Sequence, residues 1–113
     1  MSEKVRASHI LAKHNKSRNP KNRIGQPVTI SMDEAYNRIA KFRQQLLNNE
    51  VDFPNLASQM SDCSSARNGG DLGWFGHGQM VKEFDEVVFN LKIGELSEPF
   101  STASGIHIAW RTG

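Results

Sequence analysis

Apolar residues recur along this chain with two different periods, and the switches between them divide it into elements. Val5 to Lys13 interleaves apolar and polar side chains closely enough to predict a strand. The tract HNKSRNPKNRIGQP over residues 14–27 breaks that pattern with asparagines, two prolines and a glycine, and predicts a long exposed loop. A loop of that length in a small domain is usually functional. Ser31 with Glu34 reads as a capping box, each side chain accepting from a backbone N–H that the first helical turn leaves free. Ala35, Ile39, Phe42 and Leu46 then share one face of a helix ending near Asn48 and Asn49. Asp52 caps a second, shorter helix with Pro54 in its first turn and Phe53, Leu56, Ala57 and Met60 facing inward. Glycines break up Ser61 to Gly78, with a short strand expected from Leu72 to Phe75. Phe84, Val87, Val88 and Leu91 mark a third helix, stopped by Gly94. The last stretch reads as a hairpin, Pro99–Thr102 returning through Ser104 and Gly105 into Ile106–Arg111. Ile106, Ile108 and Trp110 take one face of it, and His107, Ala109 and Arg111 the other. The pattern predicts an α+β domain, a small antiparallel sheet of about four strands surrounded by helices.

Composition narrows this picture. At 113 residues a single domain over 1–113 is expected, with charged residues at 23% and hydrophobic ones at 37%, as in ordinary globular chains. No apolar run approaches the roughly 20 residues that cross a bilayer, and no signal pattern opens the chain, so no membrane association and a cytoplasmic or nuclear setting are expected. The one cysteine, Cys63, leaves no internal disulfide and fits a reducing compartment. Charge is unevenly spread. Residues 1–23 hold seven cations and one acid, a balance of +6, while the remainder holds seven cations and eleven acids, a balance of −4. That asymmetry points to an anionic partner near the first third of the chain, either a phosphorylated peptide or a nucleic acid.

Three side chains could carry chemistry. His9 and His107 fall in strands at opposite ends of the chain, and terminal strands of a small sheet are often neighbours, so the rings could meet. Cys63 lies in the tract SDCSS after a helix. Zinc could use these ligand types, although the close-spaced pairs usual in zinc sites are missing. A Cys–His hydrolase would need an activated thiolate and an oxyanion hole. Two hydrogen-bonded sheet histidines beside a buried thiol need no chemistry at all. The residues alone leave these three readings open. Neither GxxxxGK followed by Ser or Thr nor a GxGxxG between strand and helix is present, so the glycines read as turn residues. Leu72, Trp74, Phe75, Met80 and Phe84 gather where the pattern is irregular, suited to core packing or to lining a pocket.

Longer words of the sequence say more. ASHILAKH, SDCSSARNGGDLGWFGHGQM and SGIHIAWRT, in that order between Val5 and Thr112, resemble the parvulin family of peptidyl-prolyl isomerases. Within it, KHNKSRNP and the cysteine of SDCSS are similar to Pin-type members, which act on phospho-Ser/Thr–Pro bonds. Such members commonly carry a WW module, but Trp74 and Trp110 both lie inside the matching region, so none is expected here. The resemblance implies an FKBP-like superfold and a monomeric isomerase that needs no cofactor or metal, with phosphorylated Ser/Thr–Pro proteins as partners. It implies catalytic roles for His9, Cys63, Ser64, Thr102, Ser104 and His107, a proline pocket of Leu72, Met80 and Phe84, and phosphate contacts from Lys13, Ser17 and Arg18. Asn19 departs from the pattern, a second arginine being common there, and Glu83 replaces a common proline before Phe84. Two alternatives stand beside the isomerase. One is a module that grips phospho-Ser/Thr–Pro motifs without turnover. The other is a nucleic-acid-associated parvulin, for which the basic loop offers charge but no aromatic side chain on which bases could stack.

Overall fold

Strand β1 (Lys4–Ala12) is apolar enough to be covered on both faces, and from Ala7 onward every residue in it is buried. The structure, a computed structural model, describes residues 3–113. Around β1 the order of elements is α1 (Met32–Leu47), α2 (Phe53–Met60), a short 3-10 helix (Ser64–Asn68), β2 (Asp71–Gly76), α3 (Lys82–Phe89), β3 (Phe100–Thr102) and β4 (Gly105–Arg111). The strands form one antiparallel sheet in the order β2-β1-β4-β3, so the first and last strands fill its centre.

Alternation sends each central strand's side chains to two cores. Ile10, Ala12, Ile106 and Ile108 pack under Ala35, Ile39 and Phe42 of α1 and Phe53, Leu56 and Ala57 of α2. Val5, Ala7 and Ala109 meet Phe84 and Val88 of α3 on the other face. Ile10, Ile39, Ile106 and Ile108 are fully buried. Burying such a side chain is worth ~1.5–3 kcal/mol, so they hold the two central strands firmly in register.

Helices α1 and α2 begin at side-chain caps, while α3 starts at Val81 without one. Ser31 Oγ accepts the Glu34 N–H at 3.1 Å and Asp52 Oδ1 accepts the Asn55 N–H at 2.9 Å. Three details differ from the pattern. The Glu34 side chain accepts no bond from the Ser31 N–H, so only half of the expected capping box forms. Met60, expected to face inward, is 44% exposed, because α2 ends there and its side chain turns to a groove. The expected long loop is also folded on itself: Lys21 and Pro27 pair across a turn that the Asn22 side chain closes by accepting the Ile24 and Gln26 N–H groups.

Candidate active site

Antiparallel register brings the histidines together. His9 of β1 lies opposite Ala109, and Leu11 opposite His107 of β4, so the two rings are diagonal neighbours on one face. Their Nδ1 atoms are 3.0 Å apart and the rings nearly parallel at 20°. One Nδ1 must therefore carry a proton and the other a lone pair. Each outer nitrogen meets a hydroxyl: His107 Nε2 lies 2.7 Å from Thr102 Oγ1, and His9 Nε2 lies 3.1 Å from Ser65 Oγ. Because a hydroxyl can donate or accept, the row Thr102–His107–His9–Ser65 is satisfied with its protons running in either direction. Burial, and then the neighbouring His9, hold His107 down to about 3, so it is neutral at physiological pH.

Aromatic rings enclose this row. Phe84 of α3 meets His9 and His107 edge-on, with centroids 5.5 and 5.7 Å away, and Phe100 of β3 stacks on His107 at 5.1 Å. Leu72 and Met80, both partly exposed, pack against the same cluster. Of the three residues expected to form a proline pocket, Phe84 touches the imidazoles, and Leu72 and Met80 pack against the apolar cluster that contains it.

A groove of about 790 Å³ is lined by Cys63, Ser64, Ser104, Lys13 and Arg18, among others. Cys63 precedes the 3-10 helix and is half-buried. Burial pushes its thiol up, but the His9 ring, together with the Ser65 hydroxyl and N–H, outweighs that and holds it down to about 6. Lys13 is braced, its Nζ donating to the Lys21 carbonyl at 2.8 Å and its N–H to Asp62 at 2.9 Å.

Two expected site residues are placed differently. Ser17 is buried, and its Oγ accepts the His14 N–H at 3.0 Å while its own N–H donates to the His14 carbonyl. It ties the loop's first turn and does not open onto the groove. Ser64 is exposed, and the hydroxyl that reaches His9 belongs to Ser65, because the 3-10 helix turns the second serine inward. Ser104 lines the groove and donates its N–H to Thr102 Oγ1 at 3.1 Å. Phe100 was not anticipated, although a two-residue turn pairing Thr102 with Gly105 sets it directly opposite His107. Among the described residues, no three His, Cys, Asp or Glu side chains gather as a metal set, and no helix is long and apolar enough to cross a membrane.

The fold agrees with the family comparison, in which residues 9–112 match the rotamase family described as the PPIC-type PPIase domain. The chain belongs to that family. This rotamase domain is 50% identical over 116 residues to a peptidyl-prolyl cis-trans isomerase Pin1 of Digitalis lanata, covering 99% of the chain and 98% of the relative. It is 47% identical over 113 residues to a Pin1 of Malus domestica, with 96% and 93% covered. Among solved structures it is similar to the peptidyl-prolyl isomerase ESS1 from Candida albicans, with TM-score 0.94 and 44% identity, covering 97% of this chain and 63% of that one. The solution structure of TbPIN1 gives TM-score 0.91 and 43% identity with both chains fully covered. The rotamase domain is accordingly a peptidyl-prolyl cis–trans isomerase with a parvulin fold.

Proposed function

We propose that this isomerase prefers bonds in which a phosphorylated Ser or Thr precedes the proline, and that it works without a covalent intermediate. The observation that carries the preference is that Lys13 and Arg18 line the same groove as Cys63 and Ser104. An Arg fork donates two hydrogen bonds to a phosphate and a Lys supplies a point charge. Together they nearly neutralise the −1.5 to −2 charges that a phosphate carries at neutral pH. Asn19, beside Arg18 in the groove, adds a neutral donor where a cation would have gripped harder.

Rotation about the peptide bond is opposed by C–N double-bond character, a barrier of ~18–20 kcal/mol, and no bond needs to break. An enzyme need only bind the twisted amide better than either planar isomer. In this reading Leu72, Met80 and Phe84 hold the proline ring as a pivot and keep water off the carbonyl. The phosphate grip fixes the preceding residue, so that binding away from the bond orients it. A thiolate at Cys63 facing the carbonyl oxygen disfavours the charge-separated planar form, which weakens the double-bond character further. The histidine row is a hydrogen-bonded floor that positions Cys63 and Phe84. An acceleration of ~10⁶-fold requires about 8 kcal/mol, within reach of positioning and desolvation combined.

Exchange NMR on matched pSer–Pro and Ser–Pro peptides tests this reading. Lys13→Ala with Arg18→Ala should remove most of the phosphopeptide preference while plain Ser–Pro is still turned over. Hydrogen bonds to a charged group are worth ~1.5–3 kcal/mol, so each loss should cost roughly ten- to a hundredfold in selectivity. A double variant that keeps its selectivity would overturn the proposal.

A further inference from the structure

The groove holds more positive charge than one phosphate can use. Besides Lys13 and Arg18 it is lined by Arg23, from the far arm of the loop, and by Arg67, from the 3-10 helix. Asp62 is the one carboxylate that lines it, and its Oδ2 already accepts the Lys13 N–H. Four cations against one acid leave a formal +3. Among the described residues, the salt bridges join other partners and reach none of the four. Like charges gathered in a groove raise its potential and draw in counter-charge. One phosphate supplies at most about −2, so at least one cation stays unmatched.

Both extra cations are exposed, and Arg23 is held in place by its loop. The Asn22 side chain accepts the N–H groups of Ile24 and Gln26 at 3.1 and 3.0 Å, closing the turn that carries Arg23. The Arg23 guanidinium then crosses to α2 and donates to the Ser58 carbonyl at 3.0 Å, which ties the loop to the opposite wall of the groove. Arg67 stands on the 3-10 helix that follows Cys63 in the chain.

We propose that Arg23 and Arg67 form a second anion subsite, and that the preferred substrates carry a further negative group within a few residues of the phospho-Ser/Thr–Pro bond. That group is a second phosphate or a pair of acidic side chains. The proposal rests on the phosphate reading of Lys13 and Arg18 and extends it.

Four peptides of one length separate the two claims: plain Ser–Pro, pSer–Pro with neutral flanks, pSer–Pro with two flanking Glu residues, and a doubly phosphorylated form. Dissociation constants are measured by calorimetry at low and high salt, with the acidic group placed before or after the bond. The second anionic group should tighten binding by about fivefold or more at low salt, on one side of the bond, and the gain should shrink as salt rises. In Arg23→Gln with Arg67→Gln the ratio between doubly and singly anionic peptides should fall to about one. Arg67→Gln alone, which leaves the Arg23 tie intact, should lose part of it. Gain with the phosphate pair but not the Glu pair would assign the subsite to phosphate, and gain with both would assign it to acidic segments generally. A wild-type protein that prefers pSer–Pro to Ser–Pro but gains nothing from a second anion would overturn the subsite alone, as would a gain that survives in the double variant. Indifference to the first phosphate would overturn the function proposed above.

Discussion

Cys63 is pulled in opposite directions, and the sum decides its chemistry. Burial favours the thiol, whereas His9 and Ser65 favour the thiolate and prevail, holding it down to about 6. The thiolate therefore grows in as pH rises through about 6 and dominates at neutral pH. Alkylation of Cys63 by iodoacetamide should follow one titration with its midpoint near 6, and in His9→Ala that midpoint should move up. A midpoint near the ordinary thiol value of ~8.5 would remove the charge from the mechanism. Cys63 and both histidines were legible as candidates in the sequence, because strand alternation fixed the face of His107 and terminal strands tend to pair. Ser65 was not. Which of two adjacent serines turns inward depends on a five-residue 3-10 helix whose glycine-flanked sequence carries no apolar period.

At the scale of elements, the joint between that 3-10 helix and β2 rests directly on the backbone of β1 at His9. Gly70 has φ +85, and a Cβ there would lie 2.5 Å from the His9 carbonyl oxygen. Its own carbonyl accepts the His9 N–H at 3.0 Å. Only glycine permits both the left-handed backbone and so close an approach. Gly70→Ala should cost ~2 kcal/mol or more in urea denaturation, since strain of this kind alone runs to ~1–3 kcal/mol, and it should lower turnover by displacing His9. A loss under ~0.5 kcal/mol with unchanged turnover would show that the joint yields freely. The longer elements were readable because each brought a cap and a period, Ser31 with Ala35–Ile39–Phe42 and Asp52 with Phe53–Leu56–Ala57. The folded turn inside the basic loop was not, since it is held by one asparagine side chain and an isolated bridge, and neither leaves a repeating mark.

For the whole molecule, the sheet order sets when a working site can exist. His9 and His107 are 98 positions apart, yet their strands are paired over six residues at the centre of the sheet. Contacts between such distant segments form late, because a long loop must close before they return any stability. A growing chain leaving the ribosome has β1, with Val5, Ala7, Ile10 and Leu11 to hide, long before β4 is made to cover it. That interval is when a chaperone would be most useful. A mature chain that melts in parts cannot keep half of the histidine pair, because each strand holds one ring. Turnover is then a gauge of the intact fold: titrated with urea, isomerase activity and far-UV circular dichroism should vanish at the same concentration. Activity fading well before the spectrum would reveal a site that frays on its own while the sheet endures.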